Sequence, residues 1–310
     1  SRRARVVPGS DPMMPYDELG MFRENADEAG LLWKGQPDVE RRFVDVEKGR
    51  RVSALVWGTG EPEMVLVHGG AQNAHTWDTV ALALDCPLVA VDLPGHGHSD
   101  WRGDHNYWPP TLAADLAVAI RQLAPSAQMV VGMSLGGLAA LSLAADYPDL
   151  VRRLVVVDVT PGTDEVKAEP IIAFVSGPET FASFKEILDR TVEYNPSRSL
   201  PSLRRGVMHN AKEQSDGSWT WRYDRTRGGR DRDKRPDFHT LWNKVDAISS
   251  PMLLVRGGDS RVVGDEDVVE LLRRQPGAEV VVVEGAGHSV QGDRPVQLAG
   301  ILADFVRGGV

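Results

Sequence analysis

Two glycine-rich stretches carry a serine and a histidine with the chemistry of a nucleophile and its base. Ser134 lies in "GMSLGG" (132–137), which follows an apolar β-rich run and precedes a helical pattern. His288 lies in "EGAGHSV" (284–290), directly after the last apolar run. A serine hydroxyl becomes a strong nucleophile when a histidine within reach takes its proton. We therefore predict Ser134 as the nucleophile and His288 as its general base.

The turn at Ser134 also predicts where negative charge would be stabilised. A nucleophile between a strand and a helix projects above the sheet, and the helix directs backbone N–H groups toward it. The N–H group of Leu135 is one expected oxyanion donor. Gly70 in "LVHGGAQ" is the expected second donor, with Ala71 as its substitute. His68 in the same stretch is expected to make structural hydrogen bonds.

Two aspartates are candidates for the acid that orients the histidine and stabilises its protonated form. Asp158 closes the apolar run of "RLVVVDVTPG", and Asp259 lies in "LLVRGGDSRVV". An ionised group at the end of an apolar run is costly unless it is paired. A partner such as His288 would account for Asp158, although local N–H groups at a hinge would do so as well.

Alternating strand and helix patterns predict the sheet that would position these residues. Short apolar runs separated by helical periodicity indicate a doubly wound, mostly parallel sheet with both faces covered. Only "KGR" separates the first two runs, so these are expected to form a hairpin. The eight predicted strands are 42–47, 51–58, 63–68, 87–92, 128–133, 153–158, 251–256 and 279–284.

The alternation is interrupted once, over residues 161–249. A structureless loop of that length is improbable in a compact domain, so we predict an inserted helical cap, or lid. Helices are expected near 177–194, 199–212 and 237–247. The predicted organisation is an N-terminal extension (1–39), a core formed by 40–160 and 250–310, and the cap.

Four motifs in this order resemble the α/β-hydrolase superfamily with a cap after the sixth strand. They are "LVHGG", "VDLPGHGHSD", "VVGMSLGG" and "GAGHSV", and the resemblance covers about residues 40–310. It implies the α/β-hydrolase fold. Related dehalogenases and epoxide hydrolases have an aspartate at the nucleophile position, so Ser134 disfavours their chemistry.

The resemblance also bears on the choice of acid. In most members the acid after the seventh strand comes three residues beyond a strand-end glycine, and counting from Gly257 gives Ser260 instead of Asp259. A serine esterase-like subgroup has its acid after strand six and reads Arg-Gly-Gly-x-Ser after strand seven, as "VVVDVTP" and "RGGDS" do here. This favours Asp158 and leaves Asp259 in reserve.

The implied activity is that of a serine hydrolase that cleaves a carboxylic ester through an acyl-enzyme. We expect a small to medium apolar substrate, with no metal or organic cofactor; no metal-ligand spacing supports a site at His68, His96 and His98. Carbon–carbon bond hydrolysis, a menaquinone-pathway type of lyase, a thioesterase or lactonase, and a non-catalytic small-ligand receptor stay open as alternatives. The expected pocket residues are Met133, Trp77, Trp221 and Phe174.

Composition limits the remaining possibilities. A net charge of −9 argues against a nucleic-acid partner, and the single Cys86 excludes an internal disulfide framework. No apolar run reaches the roughly 20 residues that span a membrane, and the basic start has no apolar segment typical of a signal peptide. We therefore expect a cytoplasmic protein, as either a monomer or a dimer.

Overall fold

The computed structural model describes residues 15–226 and 237–308. Eight of its strands form one large sheet, and three short strands form a second, separate sheet. In chain order the strands are β1 (Val39–Glu47), β2 (Arg50–Trp57), β3 (Met64–Val67), β4 (Leu88–Val91), β5 (Met129–Met133), β6 (Leu154–Val157), β7 (Thr180–Phe181), β8 (Ala211–Glu213), β9 (Trp219–Trp221), β10 (Met252–Gly257) and β11 (Glu279–Val283).

The large sheet has the order β1-β2-β4-β3-β5-β6-β10-β11. The β1–β2 hairpin is antiparallel and pairs Val39 with Trp57, and β2 is also antiparallel to β4. From β4 onward every neighbouring pair is parallel. The predicted eight-stranded, mostly parallel sheet is therefore confirmed. Because parallel strands end at the same edge, the loops after β3, β5, β6, β10 and β11 meet there.

Helices cover both faces of the sheet, because its central strands are apolar throughout and every residue of β5 and β6 is buried. One apolar cluster includes residues of α3 and α4, and a second, on the other face, includes residues of α2 and α11. The helices are α1 (Phe22–Glu28), α2 (Asp78–Leu84), α3 (Pro109–Leu123), α4 (Leu135–Asp146), α5 (Glu169–Val175), α6 (Phe184–Tyr194), α7 (Leu200–Asn210), α8 (Trp242–Val245), α9 (Asp265–Arg274), α10 (Val290–Asp293) and α11 (Pro295–Val306).

No helix in the described part of the chain is both long enough and apolar enough to cross a lipid bilayer.

The segment between β6 and β10 contains helices α5 to α8 and the small sheet β7-β9-β8. The helix predicted over 177–194 begins only at Phe184, because Ser183 caps it by accepting a hydrogen bond from the backbone N–H of Glu186. The preceding residues form β7 instead. β9 lies between two of the predicted helices, where no strand was predicted, and residues 227–236 after it lie outside the described residues.

Candidate active site

Ser134 occupies the sharp turn between β5 and α4. Its φ of 51° and ψ of −121° are unusual for a residue with a side chain, and such strain is characteristic of functional positions. The Ser134 N–H group donates to the carbonyl oxygen of Val157 at 3.1 Å, which anchors the turn to β6. A Cβ atom on Gly136 would collide with the carbonyl oxygen of His68, so glycine allows α4 to start this close to the end of β3.

His288 connects Ser134 to Asp158. Its Nε2 atom lies 3.0 Å from Ser134 Oγ, and its Nδ1 atom lies 2.8 Å from Asp158 Oδ2. The histidine comes from the loop after β11, whereas the aspartate directly follows β6. The structure thus brings together the three residues that the sequence analysis selected, in hydrogen-bonding order. With a proton on Nδ1, the imidazole is oriented to accept the serine proton at Nε2.

Asp158 is 1% exposed, and its two oxygens are held by three donors. Oδ1 accepts the N–H group of Gly257 at 2.9 Å, while Oδ2 accepts the hydroxyl of Ser260 at 2.5 Å as well as His288. Ser260 stands at the position where most superfamily members have their acid. The sequence analysis did not predict its hydrogen bond to Asp158. The hydroxyl group at this position could have indicated one.

Asp259, the reserve acid, is exposed. Its backbone N–H group donates to the carbonyl oxygen of Ala286 at 2.9 Å, which fixes the turn after β10. Within the described residues, the carboxylate that bonds to His288 belongs to Asp158. The one-residue difference between Asp259 and Ser260 thus places the hydroxyl of Ser260, and not the carboxylate of Asp259, toward the site.

Two backbone N–H groups near Ser134 were predicted to bind an oxyanion. Those of Gly70 and Leu135 have no acceptor among the described residues, whereas the N–H of Ala71 donates to His96 Nε2 at 3.1 Å. The geometry therefore favours Gly70 over its substitute Ala71. His68 Nε2 accepts the N–H group of Leu93 at 2.9 Å, and burial lowers its pKa, so this histidine stays neutral and makes the structural hydrogen bonds expected of it.

A cavity of about 2160 Å³ opens above Ser134 and His288. Of the four predicted pocket residues, Met133, Phe174 and Trp221 line it. The prediction for Trp77 is wrong, because this side chain is completely buried in the apolar core beside α2. Trp77 ends a single 3₁₀ turn (Ala74–Trp77), and its neighbours Thr76 and Asp78 face the cavity instead.

One group of side chains in the described residues has donor atoms close enough to suggest a metal site. Atoms of His75, Asp78 and His209 lie within 4.8 Å of one another. The two imidazole rings are stacked, 3.6 Å apart and 7° from parallel, so one ion could not lie in both ring planes as metal ligation requires. His75 Nδ1 is hydrogen-bonded to Asp78, and His209 Nδ1 to the hydroxyl of Tyr16. The cluster is thus a hydrogen-bonded network.

A serine on a strained strand-to-helix turn, linked through histidine to a buried aspartate, defines the class of serine hydrolases built on this sheet. Residues 64–301 match the sequence model of the Alpha/beta hydrolase family. The chain belongs to this family, which confirms the predicted family and fold.

Esterase Rv0045c of Mycobacterium tuberculosis is 48% identical over 307 residues, which cover 96% of this chain and 97% of the relative. A solved structure of that esterase has a TM-score of 0.83 and 46% identity, covering 94% of this chain and 99% of the solved chain. The 3-hydroxybutyrate-oligomer hydrolase of Cupriavidus necator is 30% identical over 274 residues, covering 83% of this chain and 93% of the relative. The prediction of an esterase-like member of the family is confirmed.

Proposed function

We propose that this protein hydrolyses carboxylic esters through an acyl-enzyme formed on Ser134. The observation that carries the proposal is the continuous hydrogen-bonded path from Ser134 Oγ through His288 to Asp158, at 3.0 Å and 2.8 Å. The similarity to Esterase Rv0045c over almost the whole chain supports the same reaction class.

In the first half of the reaction, His288 Nε2 takes the proton of Ser134 while Oγ attacks the ester carbonyl carbon. The N–H groups of Gly70 and Leu135 stabilise the oxyanion that forms. The tetrahedral intermediate then collapses, and His288 gives its proton to the departing alcohol. In the second half, His288 takes a proton from water, the hydroxide attacks the acyl group, and Ser134 regains its proton.

We further propose that residues 161–249 act as a cap over this site. Phe174 and Trp221, which line the cavity, come from α5 and β9 in that segment, and their rings are in edge contact at 5.7 Å between centroids. Together with Met133 they contribute an apolar lining to the cavity that Ser134 also lines. This lining favours small to medium apolar acyl or alcohol groups.

A fluorophosphonate probe tests the proposed nucleophile directly. We expect one covalent adduct on Ser134, found by mass spectrometry of the tryptic peptide, and no adduct in Ser134→Ala. Ser197→Ala is the matched control, because Ser197 lines the same cavity and is not part of the hydrogen-bonded path from Ser134 to Asp158. Variants that are labelled should also hydrolyse 4-nitrophenyl esters, and variants that are not labelled should not. A folded protein that is not labelled at Ser134 would refute the proposal.

A further inference from the structure

Arg198 brings a positive charge to the cavity close to the loop that carries His288. It lies between α6 and α7 and lines the same cavity as Ser134. A Cβ atom on Gly292 would be 2.6 Å from Arg198 Nη1, so the guanidinium group rests directly on this glycine, four residues beyond His288. Its side chain is 26% exposed.

The charge of Arg198 is poorly compensated by the protein. Its Nη2 atom donates to the neutral hydroxyl of Ser202 at 2.9 Å. Its ion pair with Asp293 is long, with Oδ1 3.9 Å from Nε and so beyond hydrogen-bonding distance, and the charge of Glu28 acts on it as well. Asp293 uses its other oxygen to accept the N–H group of Gly287 at 2.8 Å. Burial lowers the pKa of Arg198, although a guanidinium remains protonated.

Two other buried arginines do donate hydrogen bonds to a carboxylate. Arg50 donates two hydrogen bonds of 2.8 Å to Asp115, and Arg205 donates to Glu28 at 2.5 Å. Glu28 also accepts the hydroxyl of Ser199, so both of its oxygens are hydrogen-bonded to residues other than Arg198. A cation buried without a hydrogen-bonded carboxylate lowers stability, and an anionic ligand would remove that cost.

We propose, building on the proposed ester hydrolysis, that Arg198 binds a carboxylate group carried by the substrate. A guanidinium N–H group makes a strong hydrogen bond to a carboxylate, and in the described residues Nη1 of Arg198 donates to no protein acceptor, since the hydroxyl of Ser202 is bound by Nη2. The substrates are then esters with a free carboxylate at one end and the scissile bond at Ser134, such as monoesters of dicarboxylic acids or acylated hydroxy acids.

Matched substrate pairs test this preference by proton release in a pH-stat. Monomethyl adipate against methyl hexanoate places the carboxylate on the acyl side, and 6-acetoxyhexanoate against hexyl acetate places it on the alcohol side. For at least one pair, we expect the ratio of kcat/KM for the anionic to the neutral ester to fall about tenfold to hundredfold in Arg198→Gln, since a hydrogen bond to a charged group is lost. Arg198→Lys should recover part of the ratio.

Two control variants make the result specific. Arg204→Gln also removes one positive charge, but from an exposed position in α7 outside the cavity. Its ratio of kcat/KM for the anionic to the neutral ester should equal that of the wild type. Arg225 is the competing candidate, because it also lines the cavity and, although its Nη2 atom donates to the carbonyl oxygen of Val175 at 3.1 Å, its buried Nε and Nη1 atoms have no partner in the described residues. Equal ratios in Arg198→Gln and the wild type for both pairs, or a loss seen only in Arg225→Gln, would overturn the assignment. Absence of turnover for all four esters would instead contradict the proposed ester hydrolysis.

Discussion

The carboxylate of Asp158 determines which ring nitrogen of His288 carries the proton. An amide at position 158 would keep the shape of the side chain but would favour the wrong proton position on the imidazole. We expect Asp158→Asn to lower kcat for a 4-nitrophenyl ester by about 10⁴-fold, the order seen for such a change in another triad. Asp259→Asn is the control, because Asp259 is exposed. A larger loss of kcat in Asp259→Asn would show that the acid is assigned wrongly.

Ser260 is expected to act as a positioning residue through Asp158. Its hydroxyl donates at 2.5 Å to the same Oδ2 atom that receives His288 Nδ1. Because a hydrogen bond to a charged group is lost, Ser260→Ala should lower kcat by roughly tenfold. Ser260→Thr keeps the hydroxyl and should restore most of kcat, which a purely steric role would not predict. Steady-state kinetics of the two variants gives the answer, and equal losses would contradict this role.

At the scale of residues, motifs in the sequence were sufficient to select Ser134, His288 and Asp158. They were not sufficient to choose between the N–H groups of Gly70 and Ala71 as the second oxyanion donor. That choice depends on His96, which accepts the N–H group of Ala71. His96 belongs to a different loop, after β4. The error at Trp77 has a similar origin, since a single 3₁₀ turn decides which of several neighbouring side chains faces the core.

At the scale of elements, His75 joins three parts of the chain, which are its own turn before α2, helix α7 and the N-terminal segment. Its Nδ1 atom is 2.8 Å from Asp78 Oδ2, and its Nε2 atom is 2.9 Å from Glu18 Oε1. Burial alone would lower the pKa of His75, but these two carboxylates raise it from 6.5 to about 9. Burial, with the charge of His75 beside it, lowers the pKa of His209 well below its usual value.

The raised pKa of His75 makes folding stability depend on pH. A group whose pKa is higher in the folded than in the unfolded state stabilises the fold fully below its unfolded pKa. That stabilisation is lost as the pH rises from about 6.5 to about 9. We therefore expect the difference in free energy of unfolding between the wild type and His75→Asn to shrink by about 3 kcal/mol over this interval.

Urea unfolding at a series of pH values between 6 and 9.5 measures this difference. His239→Asn provides the control, because His239 is an exposed histidine at the 3₁₀ turn before α8. It should follow the pH dependence of the wild type. A difference between the wild type and His75→Asn that is the same at every pH would contradict the assignment of this titration to His75.

Elements were predicted with unequal success, for reasons of length and periodicity. The strands of the large sheet have four to nine residues, and β3 to β6 are short apolar runs between turn residues, which distinguishes them from the longer helices. Strands β7 and β9 have two and three residues, and their pairing of Phe181 with Trp219 is fixed by packing in the small apolar cluster of the segment between β6 and β10. Such strands carry no periodic signal of their own.

At the scale of the whole molecule, the N-terminal segment joins parts of the chain that are far apart in sequence. The hydroxyl of Tyr16 lies 2.6 Å from His209 Nδ1 in α7, and Glu18 forms an ion pair with Arg41 of β1. Phe22 of α1 lies in the large core cluster with Trp57, with ring centroids 4.8 Å apart. A segment predicted as an N-terminal extension therefore contributes to a core cluster of the main sheet.

The contribution of this segment to global stability can be measured with one core substitution. Phe22 is 1% exposed, so Phe22→Ala should lower the free energy of unfolding by about 3–5 kcal/mol through lost burial and the cavity that remains. Leu32, in the same segment but 83% exposed, is the matched control, and Leu32→Ala should change stability by less than about 0.5 kcal/mol. Urea unfolding followed by tryptophan fluorescence reports the whole fold, because Trp57 lies in the core beside Phe22. If both variants unfolded at the wild-type urea concentration, the segment would be an appendage that the core does not need.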